Sequence, residues 1–170
     1  MHRIVLVVAL AAAFTFGGVF VGYSVALPTV DEPQGSKKAS PFSGDWVANI
    51  AKSKRHPNHL FQSATLHFVV DGNTVTLTHA GVNAGGEQES GTVVLQADGM
   101  EYPVPGQLGV VVVTKWVGLR LLQTVGMSAG ATVGGASYEV SPDGTTLTAT
   151  VSGIDASGKR FQQVIVFDRK

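Results

Sequence analysis

The side chains with most chemical capacity cluster early, in FSGDWVANIAKSKRHPNH, residues 42–59. His56 and His59 stand three apart around Pro57, behind the cations Lys52, Lys54 and Arg55. Two imidazoles can begin a zinc site, but zinc takes three or four converging ligands, and no acidic residue follows within the next ten positions. The pair therefore reads as part of a solvated loop. The three cations offer something to an anion or a phospholipid head group, although such a run also makes an ordinary surface. The chain has no cysteine, which excludes a disulfide framework, a thiolate metal site, a cysteine nucleophile and a lipoprotein anchor. HExxH, GxSxG, a Walker loop and a dinucleotide GxGxxG opening a helix are all absent. Asp71, Asp98, Asp143 and Asp155 sit in turns, where aspartate ordinarily bonds its own backbone. No catalytic residue, metal or cofactor is assigned on these grounds.

The elements that must position any site are strands. Apolar residues recur at every second position in Trp46-Ala48-Ile50, Leu66-Phe68-Val70, Val75-Leu77 and Leu147-Ala149-Val151, the period of a strand with one buried face. Turn signals fall between them at Asp71-Gly72-Asn73, Asp98-Gly99, Pro142-Asp143-Gly144 and Ala156-Ser157-Gly158. Gly72-Asn73 as a two-residue turn pairs Asp71 with Thr74, Val70 with Val75, Phe68 with Leu77 and Leu66 with His79. That register turns His79 inward and leaves His67, Val69, Thr76 and Thr78 outside. A slip of one residue would invert every assignment.

Residues 71–88 and 143–160 align without gaps at an offset of 72, with 8 of 18 positions identical. This is either internal symmetry or convergent hairpin chemistry. The alignment extends backward, setting Leu66 with Tyr138 and Phe68 with Val140, and it places Val140, Tyr138, Leu147, Ala149 and Val151 on the inner face. Residues 108–125, LGVVVVTKWVGLRLLQTV, read as two strands turning near Val117-Gly118, or as one long strand or a partner-binding face. The small residues of 126–135, GMSAGATVGG, suggest a mobile loop. Residues 101–106, EYPVPG, read as a rigid loop with a strand edge, because proline disrupts an interior strand.

The N-terminal segment has a different character. His2 and Arg3 precede an uncharged apolar run over 4–27, which reads as an export signal with small residues at Ser24 and Ala26 for cleavage. The run is also long enough to span a bilayer if it is retained. Residues 1–27 are thus a signal peptide or membrane anchor, and 28–41, PTVDEPQGSKKASP, a flexible linker. The expected address is exported, periplasmic or secreted, or anchored through this segment. Formal net charge is zero, so no global basic surface attracts nucleic acid. Charged residues are 14% and hydrophobic ones 44% of the chain, with 21 glycines, a balance that favours a β-rich globular domain over a disordered or helical one.

Three stretches together resemble a family of small exported bacterial lipocalin-like domains: SGDWVANIAKSK at 43–54, DGMEYPVPG at 98–106 and SPDGTTLTATVSGIDASGKRFQQVIVFDR at 141–169. The first carries a Ser-Gly-x-Trp opening followed by Asn and Lys-Ser-Lys. The resemblance covers 42–170 and implies an antiparallel β-barrel related to lipocalins and fatty-acid-binding proteins, with Trp46 packed structurally at the closed base. It brings no catalytic residues, and the chain departs from it around 108–135. The expected fold is an all-β barrel of about eight to ten strands over 42–170. The expected function is non-enzymatic binding of a small apolar or amphipathic ligand, lined by Phe68, Leu77, His79, Tyr138 and Ala149. The alternative is a structural or protein-interaction module with a filled barrel and no ligand, meeting its partner through 108–125. Isomerase or cyclase activity rests on fold analogy alone.

Overall fold

The structure, a computed structural model, describes residues 39–155 and 157–170. The proposed signal or anchor over 1–27 and residues 28–38 of the linker lie outside the described residues. Ten strands follow in chain order: β1 (Gly44–Lys54), β2 (Phe61–Asp71), β3 (Thr74–Asn83), β4 (Gln88–Gln96), β5 (Asp98–Pro103), β6 (Val110–Trp116), β7 (Leu121–Ser128), β8 (Ala131–Val140), β9 (Thr146–Ile154) and β10 (Arg160–Arg169). A short 3-10 turn at Pro57–His59 separates β1 from β2. The strands form one antiparallel sheet in the order β4-β3-β2-β1-β10-β9-β8-β7-β6-β5. Every neighbour is a chain neighbour except β1 and β10, which bring the two ends of the domain together. The sheet curls so that β4 meets β6 across the seam left between β4 and β5. The result is a nearly closed ten-stranded barrel.

The first hairpin has the register its turn dictates. Asp71 pairs with Thr74, Val70 with Val75, Phe68 with Leu77 and Leu66 with His79. Gly72 takes φ +58, a conformation that glycine adopts at little cost. The second copy differs. Its turn runs from Ser141 to Thr146, with Ser141 N donating to Thr146 O, and pairs Val140 with Leu147 and Tyr138 with Ala149. Tyr138 is therefore the counterpart of Phe68, not of Leu66: the longer turn displaces β8 by two residues relative to β2. The displacement preserves the face, since two residues is a full strand period. The later turns of the two copies do coincide. Asn83 N donates to Glu87 O and Asp155 N to Lys159 O, while Gly86 and Gly158 each bond back to the first residue of the turn.

Residues 108–125 form β6 and the start of β7, turning through Val117-Gly118 with Gly118 at φ +70. The expected mobile loop over 126–135 is instead the end of β7, a tight Ala129-Gly130 turn and the start of β8. Its small residues serve close approach between strands. A Cβ on Gly135 would stand 2.6 Å from the Thr124 carbonyl oxygen of β7. Pro103 ends β5, an edge strand, as proline there requires.

The core sits at the end of the barrel where β1 begins. Phe42 and Trp46 are fully buried there, with Phe68, Leu77, Tyr138, Leu122, Leu147 and Phe167. Trp46 Nε1 donates to Phe42 O at 2.9 Å, and the Phe42 ring packs on Phe68 and Trp116 with centroids 5.7 and 5.1 Å away. The Arg169 guanidinium lies 4.1 Å from the Trp46 ring centroid. Its N–H groups donate to the carbonyls of Gly144, Ser43 and Pro41. Trp46 is thus enclosed at the base between Phe42 and Arg169.

The rest of the Asn…Lys-Ser-Lys element also has a structural task. Between Asn49↔Val166 and Lys54↔Val164, β1 advances five residues while β10 advances two. Ser53 Oγ donates to Asn49 O and accepts from Val166 N, closing this bulge. Asn49 Nδ2 and Lys52 Nζ both donate to the Asp168 carboxylate, at 2.6 and 3.1 Å. Those bonds hold the Asp168 carboxyl below its usual range.

Substituting Gly135→Ala sets a methyl against backbone that cannot rotate away. It is expected to lower stability by about 1–3 kcal/mol, read as a lower urea midpoint with an unchanged m-value.

Candidate functional site

Large rings fill the base of the barrel. Toward the other end the inner face mixes small residues, Ala64, Gly126, Gly134, Ala136 and Ala149, with Phe61, Val151, Phe161 and Gln163. All five residues expected to line a cavity project from the inner faces of their strands. Phe68, Leu77, Tyr138 and Ala149 are buried at 2% exposure or less. They meet at the boundary between the base and the upper wall, with the Tyr138 and Phe68 rings edge to face at 5.6 Å. His79 stands higher and is only half-buried.

Tyr138 is the chemical anomaly. Its ring fits between Leu122 on β7 and Ala149 on β9, and its hydroxyl is buried without a hydrogen-bond partner. Burial pushes its pKa well above the ordinary tyrosine value, so the group is a neutral donor. An unsatisfied buried hydroxyl costs on the order of 1–3 kcal/mol. The three buried polar residues have partners: Thr114 Oγ1 and Thr124 Oγ1 bond each other at 3.0 Å, and the Gln163 amide oxygen accepts from His56 N at 3.5 Å.

His79 faces Gly91 on β4. A Cβ at Gly91 would lie 2.7 Å from the imidazole Cε1, so the glycine makes the room that the ring occupies. Burial lowers the His79 pKa, and Glu89, two residues from Gly91 on the same strand, partly raises it. His79 is thus a neutral imidazole near neutral pH.

At the end opposite the base, β1 leaves β2 after Val47↔Thr65, and residues 55–60 cross the gap. The connection is exposed at Pro57, Asn58 and Leu60, as expected of a solvated loop, but His56 and His59 are partly covered. The His59 ring stacks on Phe161 of β10 with centroids 4.1 Å apart, and His56 lies 5.5 Å from the same ring. His56 Nδ1 accepts from Asn58 N, capping the 3-10 turn. Arg55 donates to Phe61 O at 2.5 Å and its guanidinium sits 5.2 Å from the Phe61 ring. His59 Nε2 is buried without a partner. Burial, then the neighbouring His56, lower the His59 pKa, and Asp155 opposes them. Among the described residues no three metal-ligating side chains converge.

No family model matches the sequence, and no curated protein matches it. Solved structures do. The barrel is similar to wild-type UnaG, a fluorescent protein, at 18% identity and a TM-score of 0.53, over 76% of this chain and 97% of that one. It is also similar to zebrafish ileal bile acid-binding protein complexed with cholic acid, at 13% identity and a TM-score of 0.50, over 77% of this chain and all of that one. The ten-stranded antiparallel barrel resembles the fatty-acid-binding-protein and lipocalin barrels. At these identities the likeness is one of architecture, and what this barrel holds must be argued from its own residues.

Sequence reasoning overlooked Gly91, Phe161 and Gln163. The alternation Phe161-Gln163-Ile165-Phe167 carries a strand signal that would have turned Phe161 and Gln163 inward.

Two outcomes follow for the ligand-free protein. Tyr138→Phe removes the orphaned hydroxyl and keeps the ring, so it is expected to raise stability by about 1 kcal/mol, measured by urea denaturation. The histidines give a pH dependence. Their folded pKa values lie below the unfolded value of about 6.5, so the unfolded chain binds more protons as pH falls. Stability is full above pH ~6.5 and declines as pH drops through it. A His59→Gln, His79→Gln double variant is expected to lose that decline in denaturation midpoints compared across pH ~5 to ~8.

Proposed function

We propose that the protein is an exported, non-enzymatic carrier that holds one small apolar or amphipathic ligand in the barrel. The Tyr138 hydroxyl meets a polar group of that ligand. The observation that carries this reading is the hydroxyl itself, a neutral donor without a partner. Its residue pairs with Ala149 and shares the inner face of β8 with Ala136 and Gly134. Binding sites of this kind are mostly apolar with a few placed polar groups. The structural neighbours include a bile acid-binding protein seen with cholic acid, which supports an amphipathic ligand by analogy. The Ser-Gly-x-Trp opening and the apolar run over 4–27 support export as a small bacterial envelope domain, secreted or anchored through that run.

Native mass spectrometry of the full chain, isolated from its own host envelope, tests the reading. A retained small molecule is the expected result, and Tyr138→Phe should lower its occupancy about tenfold, the loss of one buried hydrogen bond. A chain that carries no molecule in either form would leave a barrel filled by its own side chains.

A further inference from the structure

The β8–β9 ladder ends early. It runs from Val140↔Leu147 to Gly135↔Ser152 and stops, yet β8 begins at Ala131 and β9 continues to Ile154. Beyond Gly135 each strand keeps only its outer partner, β7 or β10. A cleft of about 330 Å³ occupies the split. Both faces of the sheet line it: Gly134 and Phe161 from the inner side, Ser152 and Arg160 from the outer. Gly153 keeps it open inside, because a Cβ there would stand 2.8 Å from the Phe161 ring.

We propose that this split is a head-group subsite, taking the carboxylate of an amphipathic ligand on Arg160. Among the cleft-lining residues Arg160 is the one charged side chain. Unlike Arg169 and Arg55, it makes no side-chain hydrogen bond or ion pair among the described residues. No carboxylate lines the cleft to compete. The nearest acid along the chain, Asp155, already accepts from Ser157 and Lys159 in its own turn. Thr132 and Ser152 add hydroxyl donors. An arginine fork suits a carboxylate, which can accept two parallel N–H bonds from it. Arg160 pairs with Ile154, and Tyr138 with Ala149. The two polar ends therefore lie five residues apart along β9, or roughly 17 Å. The inference rests on the ligand-binding reading above.

Fluorescence titration of the full chain with pyrene-dodecanoic acid and with pyrene-dodecanol tests it. The wild type is expected to bind the acid about tenfold more tightly than the alcohol, the effect of one charge-assisted contact at a solvent-open site. Arg160→Gln should bring the acid to the affinity of the alcohol and leave the alcohol unchanged. Thr132→Asp, at an exposed position, should weaken the acid alone by introducing repulsion. Equal affinities in the wild type, or a preference that survives Arg160→Gln, would overturn the subsite while leaving a ligand-binding barrel. Failure of both probes to bind would overturn the carrier reading and the subsite together.

Discussion

The contact on which the architecture depends is the clasp between Arg169 and Trp46. A barrel needs its first and last strands joined, and here that junction lies at the base, where Trp46 pairs directly with Arg169. The guanidinium covers the indole face, while its N–H groups reach three backbone carbonyls from two other segments. One side chain thereby ties the approach to β1, the β8–β9 turn and β10 together. Lysine could not substitute, because its point charge lacks the planar fork that stacks and donates in several directions at once. Everything above the base inherits its placement from this junction.

A polar cluster continues the clasp along the outside of the same seam. Asn49, Lys52, Ser53 and Asp168 hold a wide bulge in β1. The bulge turns β1 away from β2, and the crossing segment with His56 and His59 fills the space that results. The lysine–serine–lysine element and the histidines, adjacent in sequence, thus belong to one event. The first fixes the bend and the second covers it.

The sequence was legible where local rules decide. Asp71-Gly72-Asn73-Thr74 specified its hairpin register because a two-residue turn leaves no freedom, and period two then placed Phe68, Leu77 and His79 on one face. Legibility failed where long-range packing decides. Tyr138 was matched to Leu66 because the alignment counted residues, while the longer 142–145 turn moved the pairing by two. Gly126 and Gly134-Gly135 looked like a loop because glycine usually marks one. Their real task is to let β7 and β8 approach. His56 and His59 looked solvated because nothing nearby in sequence foretold Phe161, about a hundred residues later. The orphaned Tyr138 hydroxyl was not legible at all, since the lack of a partner is a property of the assembled interior.

The strand order carries a consequence in time. Nine of the ten strand-to-strand ladders this barrel would need to be a closed ring are present, and eight of those join strands consecutive in the chain, which can form as each hairpin emerges from the ribosome. The β1–β10 ladder spans more than a hundred residues, and the clasp waits on Arg169. Contacts at that separation form late, because the loop must close before they contribute. The nascent chain consequently stays an open meander until β10 has been made. The ring shuts only when the last strand finds the first, so closure is the one step in this barrel that no hairpin can prepare.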